Sequence, residues 1–179
     1  NDRIAWGSSM IACKDADAMV TGNIRHYAAS IEKLKKVVNP RPGEAIFGMT
    51  MLVSKGKTIL VADTNVQDFP SSQRLVDVSK SCVRVAKLFG FDPKVAFLSH
   101  STFGKPVSKN TKHVRDAIEL LKKENVDFDF DGEMQPDVAL NPIYQDVYPF
   151  SKIVGNANIL IMPALHSAAI STKLMKVFG

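Results

Sequence analysis

The sequence predicts an α/β fold of three layers, with helices covering both faces of a mostly parallel sheet. Two observations predict it. From Thr58 onward, short apolar runs of strand length alternate with longer segments whose apolar residues recur every three or four positions. The connections between them are short and polar, which favours parallel strands joined by crossover helices.

Each element has its own signal. The stretch from Ile4 to Gly22 opens as a helix, with Ile4, Gly7, Ser8, Met10 and Ile11 as small and apolar packing positions. After Asp15-Ala16-Asp17, residues 18–22 are expected to form a buried strand running into a glycine loop. A second helix is expected from Ser30, with Ile31, Leu34, Val37 and Val38 at helical spacing. Pro40, Pro42 and Gly43 end it, because proline cannot continue a helix and glycine turns the chain. Residues 45–53 and 58–62 flank Lys55-Gly56-Lys57 and read as a hairpin or as neighbouring strands. Ser71 or Ser72 caps a helix carrying Leu75, Val78, Cys82, Val85, Ala86 and Phe89, and Gly90 stops it. Residues 94–98 form the next strand, followed by the polar loop 99–104. Asn110 or Thr111 caps a helix with an apolar stripe of Val114, Ala117, Ile118 and Leu121. Residues 127–130 alternate as a strand that ends at Asp131-Gly132-Glu133. Residues 157–162 are the last strand, broken by Pro163, and residues 165–178 are the last helix. No fixed-period repeat or low-complexity tract interrupts this order.

Bulk composition narrows the function classes. The 179 residues are 45% hydrophobic and 23% charged, as in ordinary globular domains. A net charge of +5 suits nucleic acid or a small phosphorylated ligand. The lysines are scattered and not interleaved with aromatics, which argues against a nucleic-acid partner. Cys13 and Cys82 stand far apart without metal ligands nearby, so free thiols in a reducing, cytoplasmic setting are expected. No run approaches the roughly twenty apolar residues of a membrane span, and no signal peptide is present, so no membrane partner is expected. The chain starts at Asn1 without a methionine and stops just after a helix-like run. It is therefore expected to be incomplete at both ends.

Ligands in open α/β sheets bind at the carboxyl ends of strands. Four expected strand ends carry polar residues: Asp63 and Asn65; Ser99, Ser101 and Thr102; Asp131, Glu133 and Gln135; Pro163 and His166. Their convergence on one edge is the main site expectation. In the loop from Ser99 to Lys105, backbone N–H groups and hydroxyls suit a phosphate with Lys105 as counter-charge. The alternative is a polar turn with a solvated lysine. The spacing is not that of a Walker loop. Asp131 and Glu133 offer acid–base or metal chemistry, or simply accept backbone hydrogen bonds in a turn. His100 and His166 are either titrating site residues or ordinary surface groups. Arg25 follows a glycine turn and faces either an anion or solvent. Cys82 lies on the apolar stripe of its helix and reads as core.

At Asp131-Gly132-Glu133-Met134-Gln135-Pro136-Asp137-Val138-Ala139 the chain resembles the signature of the phosphate acetyltransferase family. Three further runs are similar to that family in order: 16–22 (Ala-Asp-Ala-Met-Val-Thr-Gly), 95–102 (Val-Ala-Phe-Leu-Ser-His-Ser-Thr) and 155–163 (Gly-Asn-Ala-Asn-Ile-Leu-Ile-Met-Pro). Within the family the chain looks most like the phosphotransacetylase-like C-terminal domain of bacterial NADP-dependent malic enzymes. Residues 131–141, Tyr148-Pro149-Phe150, residues 160–168, and Arg25 with Tyr27 carry that closer likeness.

The resemblance implies the phosphotransacetylase fold, similar to that of isocitrate and isopropylmalate dehydrogenases. Residues 1–40 would be a remnant of the first subdomain and residues 41–179 the second. It implies a regulatory, oligomerising domain that binds acetyl-CoA. Its candidate contacts are Ser99, Ser101, Thr102, Lys105, Asp131, Glu133, Gln135, Pro163 and His166, with Arg25, Asp63 and Asn65 as further cleft residues. No catalytic residue and no metal ligand is assigned. In the parent enzyme, NADP and a divalent metal (Mg or Mn) would act in other domains on malate. The domain would pair as a homodimer within a larger homo-oligomer. Departures from the acetyltransferase pattern point the same way. Glu32 stands where the enzymes carry an arginine for the acyl phosphate, and Val177 where they carry a CoA-contacting arginine. A carboxylate beside an acyl phosphate repels it, and a transfer site without its cation cannot stabilise the developing charge. The competing expectations are an active phosphate acetyltransferase and a purely structural oligomerisation domain.

Overall fold

A computed structural model describes residues 2–22, 25–42, 44, 46–54, 56–62 and 68–178. The chain divides into two compact units, Asn1–Gly43 and Glu44–Gly179.

The first unit is built on two helices, α1 (Arg3–Ala12) and α2 (Tyr27–Lys35). Asp2 caps α1, accepting a hydrogen bond from the Ile4 N–H at 3.0 Å. The same carboxylate pairs with Lys33 and, at 3.3 Å, with Arg25, which ties the start of α1 to the α2 region. A β-carbon at Gly7 would lie 2.5 Å from the Met19 sulfur, so glycine lets the segment after α1 lie against it. Two expectations fail here. Residues 18–22 form no strand, and Val20 is fully exposed. A strand needs a neighbour to satisfy its N–H and C=O groups, and the described residues of this unit offer only helices. Helix α2 starts at Tyr27 rather than Ser30 and stops at Lys35, which leaves Val37 and Val38 beyond it. Its last-turn cations, Lys33 and Lys35, suit the carboxyl end of a helix.

In the second unit, β1 (Met49–Ser54) and β2 (Lys57–Ala62) form the expected hairpin, with Gly56 turning at φ +75°. The sheet continues through β3 (Lys94–Leu98), β4 (Asp129–Met134) and β5 (Ile159–Ile161), in spatial order β1-β2-β5-β3-β4. Every pairing except β1 with β2 is parallel. Alternate strand residues face opposite layers. Leu60, Val95, Phe97, Ile159 and Ile161 meet α3 (Ser72–Leu88) and α4 (Lys112–Glu124) through Leu75, Val78, Cys82, Val114 and Leu121. Val61, Ala96, Leu98 and Leu160 turn to the other face. They pack against Val138 and Ala139 of α5 (Pro136–Leu140), Ile153, Val154 and Ala168 of α6 (Leu165–Phe178). The predicted three-layer α/β arrangement is therefore present.

Local differences have local causes. Strand β4 does not end before Asp131 but runs through Gly132 and Glu133 to Met134, because β3 beside it extends equally far in the pairing. Helix α5 was not expected; Pro136 supplies its first-turn position, where a missing N–H costs nothing. Thr111 precedes α4 without a capping side-chain bond. Ser108 instead caps a single 3-10 turn, Lys109–Thr111, that leads into the helix.

Candidate functional site

The strand register decides where the polar strand ends meet. Ala62 and Phe97 both pair with Ile161, and Leu98 pairs with Met134. The carboxyl ends of β2, β3, β4 and β5 thus share one edge of the sheet. Ser99, Ser101 and Thr102 follow β3 there, Gln135 follows β4, and Pro163 and His166 follow β5. Asp63 and Asn65 lie outside the described residues. Arg25 belongs to the Asn1–Gly43 unit, where it pairs with Asp2.

The residues after β3 and at the end of β4 form one hydrogen-bonded cluster. Ser101 is buried and donates its hydroxyl to Glu133 Oε1 at 2.6 Å. Ser99 Oγ lies 3.3 Å from Ser101 Oγ. Glu133 is itself buried, and a buried carboxylate needs a paired charge. Arg115 Nη1 supplies it at 3.0 and 3.3 Å. The Glu133 carbonyl accepts from the Phe103 N–H at 2.7 Å, and Thr102 Oγ1 accepts from the Gln135 N–H at 3.2 Å. Gln135 Nε2 donates to the His100 carbonyl at 2.7 Å. Thr102 and Lys105 exchange backbone bonds around Phe103 and Gly104, both at positive φ, so the loop closes as a tight turn. Phe103 is braced by the rings of Tyr148 and Phe150 at 5.2 and 4.8 Å.

This geometry sorts the candidates. Ser101 and Glu133 are committed to each other inside the protein. His100, Lys105, Gln135 and His166 are exposed, and Thr102, Asp131 and Pro163 are half-buried. Asp131 accepts the Gly132 N–H at 2.8 Å.

Beside this cluster lies a cavity of about 630 Å³ lined by Phe69, Pro70, Lys109, Asn110, Lys112, His113 and Asp116. It lies between the approach to α3 and the start of α4. Contacts reach from it to the end of β5: His113 Nε2 is 3.1 Å from the Pro163 carbonyl, and the Phe69 and His166 rings are 5.3 Å apart. Two lysines and one carboxylate line it, and Lys112 already pairs with Asp116 at 2.6 Å. Lys109 carries the remaining charge, so the lining has a net positive charge beside the exposed ring of Phe69. Sequence reasoning missed Arg115, Lys109, His113 and Phe69. Arg115 follows a residue of the buried α4 stripe, and an arginine on that flank was the available signal.

Among the described residues, no group of three His, Cys, Asp or Glu side chains is placed to hold a metal. Cys82 is in the core, and burial pushes its thiol up to about 12, far from a nucleophilic thiolate. No helix of the described residues is long and apolar enough to cross a membrane.

All 179 residues match the family described as phosphate acetyl/butaryl transferase. The chain is 44% identical to an NADP-dependent malic enzyme of Rhizobium meliloti (strain 1021) over 99% of its own length and 23% of that protein. It is 28% identical to a phosphate acetyltransferase of Bacillus subtilis (strain 168) over 99% of its length and 56% of that protein. A phosphotransacetylase from Streptococcus pyogenes superposes with a TM-score of 0.88 at 29% identity, over 98% of this chain and 54% of that one. The chain thus spans about a quarter of that malic enzyme and about half of that acetyltransferase.

Proposed function

This chain belongs to the phosphate acetyl/butaryl transferase family, and from that premise we propose that it is the phosphotransacetylase-like domain of a bacterial NADP-dependent malic enzyme, binding acetyl-CoA as a regulatory ligand. The identity to the malic enzymes supports the branch. The observation that carries the non-catalytic reading is the state of the arginines. All three in the Glu44–Gly179 unit are engaged: Arg74 with the Ile46 carbonyl, Arg84 with Glu44 at 2.8 Å, and Arg115 with Glu133. Acyl transfer to phosphate needs a cation aimed at the developing charge. In the other unit, Glu32, which the resemblance sets against the enzymes' arginine, pairs with Lys36 at 3.0 Å.

The edge suits binding better than chemistry. Lys109 meets the phosphates of acetyl-CoA, Phe69 and His166 flank its base, and Thr102, Lys105 and Gln135 face the acyl-bearing arm. Regulation then follows from a difference in affinity between two arrangements of the parent enzyme. NADP and the divalent metal act elsewhere in that parent, on malate. The domain pairs with a second copy in a cytoplasmic homo-oligomer.

Titration calorimetry of the full-length protein with acetyl-CoA, alongside malate turnover, tests this. The expected result is saturable binding at one site per chain and a turnover rate that changes with its occupancy. Absence of binding sinks the reading. Formation of acetyl phosphate by the full-length protein replaces it with an active acetyltransferase. Loss of assembly on removal of the domain, with no acetyl-CoA effect on malate turnover, leaves only a structural domain.

A further inference from the structure

We infer that Arg115 is the positioning residue of this site, a brace that holds its two ligand-facing segments in one geometry. The identity of the ligand rests on the acetyl-CoA reading above; the brace rests on hydrogen bonds alone. Arg115 touches both segments from inside. Its Nη1 donates to Thr111 Oγ1 at 2.6 Å and to the two Glu133 oxygens at 3.0 and 3.3 Å. Its Nη2 donates to the Ser108 carbonyl at 3.0 Å. Ser108 caps the 3-10 turn through the Asn110 N–H at 3.1 Å, and that turn carries Lys109 and Asn110 into the cavity. On the other side, Glu133 holds the 99–105 loop twice, through the Ser101 hydroxyl and through the Phe103 N–H.

The arrangement needs a guanidinium. Its planar fork points several fixed donors in different directions, so one group bridges a carboxylate, a hydroxyl and a carbonyl together. A lysine ammonium is a compact charge on a flexible stem and cannot span the same three acceptors. The Arg115 side chain is 34% exposed and that of Glu133 not at all, so the pair sits behind the ligand surface rather than on it. Its action is indirect: it fixes the cavity wall relative to the loop.

The test uses the full-length protein with three changes. Arg115→Lys keeps the charge and removes the fork. Arg115→Met combined with Glu133→Gln removes both charges together, so that no unpaired carboxylate is left buried. Val83→Ala, in the core of α3 and several turns from the cavity lining, serves as the stability control. Acetyl-CoA affinity is expected to fall roughly tenfold to a hundredfold in both Arg115 variants, as for a site whose groups are displaced by about an ångström. Lysine is expected to recover part of the loss relative to the double variant. Val83→Ala is expected to lower the melting temperature yet keep affinity within about twofold, because a distant core change adds independently. Hydrogen exchange supplies the readout that does not depend on ligand: amides of residues 101–111 exchange faster in the Arg115 variants, while those of β3 and β5 do not. Unchanged exchange in residues 101–111 overturns the brace. So does an affinity loss in Val83→Ala equal to that in the Arg115 variants. A wild-type protein that ignores acetyl-CoA refutes the ligand assignment, and the exchange pattern still decides the brace.

Discussion

An alanine at residue 132 would place its β-carbon 2.6 Å from the Phe97 carbonyl oxygen. The backbone there has φ +146°, a region side chains rarely adopt. Gly132 therefore lets β4 lie close against β3 at the point where Glu133 turns inward. Gly132→Ala is expected to cost at least about 2 kcal/mol, from strain and from displacement of β4. Chemical denaturation with a shifted midpoint and an unchanged slope checks it; a midpoint within error of wild type contradicts the close approach. The two cysteines make a second contrast. Cys13 is exposed and Cys82 is buried, with its thiol pushed up to about 12 by burial. At pH 8 a disulfide reagent is expected to titrate Cys13 rapidly and Cys82 only after denaturant is added. Because the folded value of Cys82 lies above the unfolded one of 9.0, this group makes the fold less stable as pH rises from about 9 to 12. Rapid labelling of both thiols in the native protein contradicts the core packing. The position of Cys82 was legible from its place on an apolar stripe. The mutual bond of Ser101 and Glu133 was not: their place near strand ends was readable, but that two residues 32 positions apart meet is a property of the sheet.

Among the elements, those whose stability is written locally were the ones the sequence revealed. Strand β3 and helix α6 have the expected bounds, and α3 begins within two residues of its predicted start. Each is a clean periodic run with a polar or glycine boundary. Residues 18–22 show the opposite case. Their apolar content is that of a buried strand, but pairing is supplied from outside the segment, and the described residues of the first unit provide none. Capping lies between these cases. The Ser71 hydroxyl accepts from the Arg74 N–H at 3.2 Å at the start of α3, as its type suggested. For α4 the expected caps were Asn110 or Thr111, yet the bond falls to Ser108 because a 3-10 turn intervenes. Removal of the α3 cap is expected to be mild. Ser71→Ala should cost about 1 kcal/mol, with Ser71→Gly closer to wild type. Equal stability of Ser71→Ala and wild type in urea denaturation would show that the hydroxyl makes no net contribution to α3.

At the scale of the whole molecule the two units differ in what holds them. In Glu44–Gly179, two apolar clusters cover opposite faces of a five-stranded sheet. In Asn1–Gly43, the buried positions of the two helices are Ile4, Ser8 and Ser30, and much of the order comes from Asp2 with Lys33, Arg25 and the Ile4 N–H. The Lys33 ammonium beside it is the main reason the Asp2 carboxyl lies well below its ordinary 3.8. A carboxylate with a depressed folded value stabilises the fold fully above its unfolded value and loses that contribution as pH falls through the folded one. The first unit is therefore expected to loosen on acidification from about pH 4 downward, while the sheet, held by apolar burial, persists. Asp127 is lowered in the same direction by Lys87 in the other unit, so a global melting curve would mix two titrations. Amide exchange read helix by helix separates them. Protection of α1 and α2 should fall with pH while protection of β3 and β5 holds, and Asp2→Asn should lower α1 protection at neutral pH and flatten its pH dependence. A pH profile for α1 that survives Asp2→Asn would mean that another group, not this carboxylate, fastens the first unit.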